Sequence, residues 1–217
     1  MMKVRIVFGL LALIACSAVS AAVVSSDVVT IGSPVRTGLL TFDVPVYVRD
    51  VSGSPLGIDQ PFGSRIQSLS LKVNYSPTAP IQSITFTRAG ITVPLTPSFE
   101  SQPSLSGSIS LLDTFHEATN LVPFTSNAAA PGDLVGHLTV SFTNQAVAGT
   151  VITLTLDPTL TQLSNEGGTV SESTTLGTLT LVNGSVIVPV VVPALDATTL
   201  AMLAAALVAI AVFIRRI

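Results

Sequence analysis

Few residues in this chain carry reactive groups. Its 217 residues include two histidines, one cysteine, two tyrosines and no tryptophan. Asp113, His116 and Glu117 form the one cluster of an imidazole with carboxylates, the composition of a metal or acid–base site. They follow a strand pattern, where an exposed polar loop has the same composition. His137 stands apart, and neither histidine belongs to an H-E-x-x-H spacing. The many serines lack a Gly-x-Ser-x-Gly elbow and an obvious His and Asp pair, which argues against nucleophilic hydrolysis. Asp157, Asn165, Glu166 and Glu172 flank loops that could converge on calcium, although no Asp-x-Asp-x-Asp spacing orders them. No catalytic residues and no cofactor are expected, with calcium the one cation these donors suit.

A set of small polar residues is better organised. Ser68, Ser70, Lys72 and Asn74 alternate with Leu69, Leu71, Val73 and Tyr75, so one face of this strand is core and the other is wet. A face rich in hydroxyls and short side chains accepts a helix closely, with polar bonds at its rim. The same pattern also describes a solvated strand face without a partner. For carbohydrate the chain offers little, because sugar platforms rely on flat exposed aromatics and only Tyr47 points away from the core set.

The elements that must position these residues share a period of two. Strands are expected at 27–31, 40–49, 68–75, 81–88, 107–112, 134–142, 151–156 and 175–188, the last with a turn or bulge at Asn183-Gly184. Pro45 marks an edge strand or a bulge, residues 51–63 form a loop, and residues 98–108 form a second, polar one. Eight or nine strands with irregular turn signals describe an all-β protein with a single β-sandwich of the jelly-roll kind over residues 27–189.

Both termini carry address signals. Lys3 and Arg5, an apolar run over 6–15 and small residues up to 22 read as a secretory signal helix, residues 1–22. Leu13-Ile14-Ala15-Cys16 also fits a lipoprotein box, in which Cys16 would be lipidated. At the other end, residues 190–217 contain an uncharged run over 197–214 that reads as a transmembrane helix, closed by Arg215 and Arg216. Between Ala22 and Asp196, five basic residues face twelve acidic ones, so nucleic acid is excluded as a partner. With its only cysteine in the leader, the folded domain relies on its core rather than on disulfides.

Two resemblances follow from these residues. Val192-Pro193-Ala194-Leu195 ahead of the apolar run and Arg215-Arg216 resembles the sorting signals of the IPTL-CTERM class of Gram-negative bacteria, with Thr198 and Thr199 where the family has Trp and Gly. That resemblance implies recognition by an exosortase-type membrane enzyme and delivery to the surface or matrix. A tail anchor that is never processed is the other reading. The order of segments is similar to a cohesin-type β-sandwich: Val44-Pro45-Val46, then Leu71 to Tyr75 followed by Ser76-Pro77 where the family has Tyr-Asp-Pro, the 136–142 strand, and Asn183-Gly184-Ser185-Val186-Ile187-Val188 at the close.

The cohesin resemblance implies a non-catalytic module that binds a dockerin-like protein, or a polysaccharide, on the face of Ser68, Ser70, Lys72 and Asn74. The expected location is the cell envelope after export through the inner membrane, or the surface once the tail is processed. A structural matrix or adhesin subunit is the alternative, followed by a polysaccharide-processing hydrolase built on the Asp113 cluster. If the tail is a sorting signal, mass spectrometry of the native protein finds its C-terminus upstream of Ala197. Recovery of an intact Ile217 in the mature protein rejects processing.

Overall fold

The computed structural model describes residues 25–190 and the helical positions 201–202 and 205–207. The expected signal helix lies outside the described residues, as do the sorting-motif positions Val192, Pro193, Ala194, Leu195, Arg215 and Arg216. The expected transmembrane helix lies mostly outside them too. Among the described residues no helix is long and apolar enough to cross a membrane.

The main strands form where apolar and polar side chains alternate, because a pleated chain can then bury one face and wet the other. In chain order they are β1 (Asp27–Ile31), β2 (Val35–Arg36), β3 (Thr41–Arg49), β4 (Ser68–Ser76), β5 (Ile81–Arg88), β6 (Phe99–Ser101) and β7 (Ser104–Leu105). There follow β8 (Ser108–Thr114), β9 (Asp133–Phe142), β10 (Val151–Leu156), β11 (Gln162–Ser164), β12 (Ser171–Glu172), β13 (Leu179–Val182) and β14 (Gly184–Ile187). A 3₁₀ turn, Gly90–Thr92, follows β5.

These strands make an all-β sandwich of two sheets. One runs β13-β1-β3-β9-β5, with β2 added on β3. The other is built around β4, which pairs with β8 on one side and with β10 and β11 end to end on the other. Strands β6 and β7 extend it beyond β8, β14 extends it beyond β10, and β12 pairs with β11. Only the β1–β13 pairing is parallel among the described residues.

The core is the layer between the sheets. Leu69, Leu71 and Val73 of β4 are fully buried against Val46 and Val48 of β3, Leu138 and Val140 of β9, and Ile152 and Leu154 of β10, all in one cluster. Each such side chain contributes about 1.5–3 kcal/mol relative to remaining exposed. At the margin, Phe42 and Phe142 meet edge to face with centroids 5.9 Å apart.

Three expectations need correction in detail. The 175–188 segment is two strands rather than one, since the chain leaves the β1 sheet after Val182 and joins the β4 sheet at Gly184. Asn183 is the joint, and its Oδ1 accepts the Leu156 N–H at 2.9 Å. Pro45 lies in a central strand; β3 instead uses the bulge reading, with a register shift against β9 between Val46 and Tyr47. The 98–108 loop contains β6 and β7, whose two or three residues are too short to display a period.

Gly184 shows how tight the sheet change is, because a Cβ there would lie 2.5 Å from Ile31 Cγ2 and 3.1 Å from Ile31 Cβ. A β-branched neighbour cannot swing away. Gly184→Ala is therefore expected to lower stability by about 1–3 kcal/mol, read as an earlier midpoint in urea. An unchanged midpoint would show that the crossover has room to spare.

Candidate functional site

The outer face of the β4 sheet gathers the residues expected to bind. Ser68, Ser70, Lys72 and Asn74 project from β4 opposite its buried leucines and are all half-buried. Register places Ser68 between Thr114 and Ser164, Ser70 between Leu112 and Gln162, Lys72 beside Ser110, and Asn74 between Ser108 and Thr155. The result is a broad strip of hydroxyl and amide groups.

That strip is braced by the 157–161 loop between β10 and β11. Ser68 Oγ and Thr114 Oγ1 share a hydrogen bond at 2.9 Å, and Ser70 Oγ donates to the Leu160 carbonyl at 2.9 Å. Asn74 Nδ2 donates to Asp157 Oδ2 at 3.2 Å, while Lys72 Nζ lies 3.7 Å from the same oxygen. Asp157 Oδ1 accepts the backbone N–H groups of Thr159 and Leu160, closing an Asx-type turn. Desolvation acts upward on this carboxyl but is outweighed by the Asn74 bond, the two backbone donors and the Lys72 charge, so it titrates below the usual carboxylate range.

Apolar side chains border the strip. Phe99 on β6 sits opposite Thr114 in the row of Ser68 and is 56% exposed, Leu160 is 49% exposed, and the half-buried Leu112 lies between Ser101 and Ser70. Sequence reasoning missed Phe99 and Leu160. The run Asp157-Pro158-Thr159-Leu160 was the available signal for the turn, since an Asp followed by Pro nucleates one.

The other candidates do not assemble. Asp113 faces inward in phase with Ile109 and Leu111 and is buried. His116 is exposed and pairs with Glu166, whose other oxygen accepts the Glu117 N–H at 2.8 Å. Glu117 turns elsewhere, accepting the Gly63 N–H at 2.9 Å with Arg65 Nε 3.5 Å away. The expected calcium donors are equally dispersed: Asp157 serves the β4 face, Asn165 holds Gly63 O and its own loop, Glu166 serves His116, and Glu172 is buried. Among the described residues no group of three His, Cys, Asp or Glu side chains could hold a metal ion. His137 binds Asp43 at 2.6 Å on the outside of the β1 sheet. Tyr47 is half-buried, lining a groove of about 600 Å³ with Pro34, Pro45 and Pro131.

Buried carboxylates are the feature that sequence reasoning did not anticipate. Asp27, Asp50 and Glu172 are fully buried, and each uses one oxygen to accept a backbone N–H from the 51–58 loop: Val51 on Asp27, Ile58 on Asp50, Leu56 on Glu172. Their other oxygens have no hydrogen-bond partner among the described residues while the acids are ionised. Burial pushes Asp27 up to about 6 and Glu172 up to about 9, and the interaction between the two carboxyls raises Glu172 further while holding Asp27 down. Burial also raises Asp50, with Asp59 and Asp133 adding to it. Asp113, 1% exposed, is raised to about 7 by burial and by Glu100, against the pull of Arg88.

No family model matches this chain, and no curated protein matches it. Solved structures do. The third cohesin of ScaC from Acetivibrio cellulolyticus, solved in complex with the ScaB dockerin, is 18% identical over 76% of this chain and 99% of its own, with a TM-score of 0.53. CaCohA2 from Clostridium acetobutylicum is 16% identical over 78% of this chain and 94% of its own, with a TM-score of 0.51. A chain of the Coh-OlpA–Doc918 complex, a type I cohesin–dockerin complex from Clostridium thermocellum, is 12% identical over 75% of this chain and 99% of its own, at 0.50.

The fold is that of a cohesin module.

The buried pair gives the cohesin-like sandwich a pH dependence with a definite sign. Both carboxyls titrate above their ordinary values, so their protonated forms favour the folded state. This stabilisation is complete below about pH 4 and is lost as pH rises through about 6 and then about 9. The melting temperature should fall between pH 5 and pH 9.5. In Glu172→Gln, whose amide stays neutral at every pH, the fall should be shallower. A wild-type profile no steeper than that of the variant would exclude Glu172 as a source of the fall.

Proposed function

We propose that this protein is a non-catalytic binding module that presents the outer face of its β4 sheet to a protein partner. The observation that carries this reading is the composition of that face, a strip of small hydroxyl and amide groups bordered by Phe99, Leu112 and Leu160. Short side chains let a helix approach the sheet closely, and a few apolar anchors around a polar centre are what concentrates binding energy at interfaces. The cohesin of ScaC was solved with a dockerin bound, and a dockerin-like helical module is the partner whose chemistry fits here. A polysaccharide fits less well, because Phe99 is a lone ring at the border of the strip and Tyr47 lies half-buried on the other sheet, flanked by prolines.

The site on the envelope follows from the chain ends. The leader exports the domain across the inner membrane, and the tail holds it there through its apolar run until an exosortase-type enzyme releases it to the surface or matrix. Binding rather than catalysis also accords with the dispersal of Asp113, His116 and Glu117 into three separate environments.

Ser70 is central to the face and makes one hydrogen bond, to a carbonyl of the covering loop. Placing a long cation there blocks close approach without touching the core. With full-length protein immobilised in detergent and a panel of dockerin modules as analytes, Ser70→Arg should weaken capture at least tenfold, equivalent to about 1.4 kcal/mol. The thermal transition should stay within about 2 °C of the parent. Undiminished capture by the folded variant would move the binding surface elsewhere.

A further inference from the structure

The two ends of the sandwich differ sharply in charge. At one end β4 and β9 finish and β3, β5, β8 and β10 begin, joined by the loops at 36–41, 76–81, 105–108 and 142–151. The chain also leaves the sandwich here, after β14. These loops contain Arg36 and no other charged residue. Arg36 is itself folded back onto the carbonyls of Gly38 and Leu39. Most charged residues gather toward the opposite end, the acids in and beside the loops at 49–68, 114–133 and 158–179 together with Arg49, Arg65 and Arg88, with Asp43, Lys72 and Asp157 on the stretch between.

Large apolar side chains are bare at this end with no charge among them, whereas Phe62 and Leu176, bare at the other end, stand in the loops that carry the acids. Leu39 is 63% exposed, Leu105 69%, Val147 72%, Val151 49%, Ile187 55% and Val190 68%. They belong to one region of the fold. Val151 pairs with Ile187 across β10 and β14, the Val188 N–H donates to Thr150 O, and the Thr150 N–H donates to Val147 O. Leu40 O accepts from Phe142 at the end of β9, and Gly107 O accepts from Tyr75 at the end of β4, which brings the loops of Leu39 and Leu105 to the same end.

We infer that this end of the sandwich rests on the lipid bilayer, with the apolar side chains around the chain exit seated in its headgroup layer. The inference rests on the reading of 197–214 as a membrane segment, and it adds an orientation that the tail alone does not give. Six residues separate Val190 from Ala197, and the seven backbone steps between them reach roughly 25 Å at full extension. The exit end therefore cannot stray far from the lipid. A lipid surface suits a charge-free apolar end, because no carboxylate must be desolvated to approach it. A protein docking flush there would share the space with the departing chain. In this orientation the acidic end points away from the bilayer, and the β4 face stands along the side of the module, open to a partner.

The test uses full-length protein in phosphatidylcholine vesicles, with Cys16→Ser and single labelling cysteines at Val147→Cys or Thr119→Cys carrying an environment-sensitive fluorophore. Both positions lie in loops, so the variants fold. The expected result is flotation with the vesicles, quenching of the 147 label by a shallow lipid-borne nitroxide, and at least about threefold less iodide quenching at 147 than at 119. Flotation with equal iodide access at the two positions overturns the apposition and leaves the membrane tail standing. Failure to float overturns both. Shielding of 147 that persists in detergent and grows with protein concentration assigns the apolar end to a second copy and overturns the lipid contact.

Discussion

Closure of two sheets over one apolar layer, without a cysteine between residues 25 and 190 to assist it, is the constraint on which everything else in this structure depends. The layer works because β4 supplies Leu69, Leu71 and Val73 to it from the middle of one sheet, while β3 and β9 answer from the middle of the other. A strand central in its sheet has neighbours on both sides, so its outward residues are fixed as firmly as its inward ones. Ser68, Ser70, Lys72 and Asn74 inherit their spacing from the leucines behind them. The candidate binding face is thus rigid because its reverse side is the core.

The long 51–67 connection is the part of the domain that strand pairing does not hold. Carboxylates do so instead: Asp27 from β1, Asp50 from the end of β3 and Glu172 from β12 each take a backbone N–H of this loop. Acceptors of this strength satisfy donors that would otherwise be buried without partners. The cost is that three acids share a small dry volume, and protonation of Glu172, which burial and Asp27 favour, removes much of that repulsion. Glu117 does the same for Gly63 with Arg65 alongside. The loop is therefore pinned at several points by side chains remote in sequence, which explains how so long an excursion stays ordered in a compact sandwich.

Much of this was legible in the sequence where periodicity had room to express itself. The nine residues of β4 and of β3 and the ten of β9 announce their buried faces by alternation alone. Strands of two or three residues, such as β7 and β12, have no period to read, and they exist only because a longer neighbour offers them hydrogen bonds. The change of sheet at Asn183 was invisible for a related reason: Leu179 and Val186 keep the same apolar character on either side of it, although each faces the core from a different sheet. The buried acids were readable in part. Asp27 stands in phase with Val29 and Ile31, and Asp113 with Ile109 and Leu111, so alternation itself places both on the inner face. What alternation cannot show is the backbone N–H that rewards Asp27 for being there, or the lack of one beside Asp113.

The position of the binding strip relative to the chain exit gives the fold a directional logic. β4 runs from the acid-rich end toward the uncharged end, so the rows from Ser68 to Asn74 climb along the side of the sandwich rather than across either tip. A helix laid on that strip meets hydroxyls in the middle and Phe99 and Leu160 toward the acidic end. Lys72 is the basic residue on the strip, and Asp157 beside it already takes up much of its charge, so the face is close to neutral locally, while the end above it carries a modest excess of carboxylates: Glu117 and Glu100 pair with Arg65 and Arg88, and Asp59, Asp133 and Glu166 outnumber Arg49. A partner with basic residues at one tip of its helix would be drawn toward that end and could dock in one direction more readily than in the reverse, because reversing it would place those cations against an uncharged surface. Local neutrality sets how closely a partner can approach, and the charge gradient along the module sets which way round it lies.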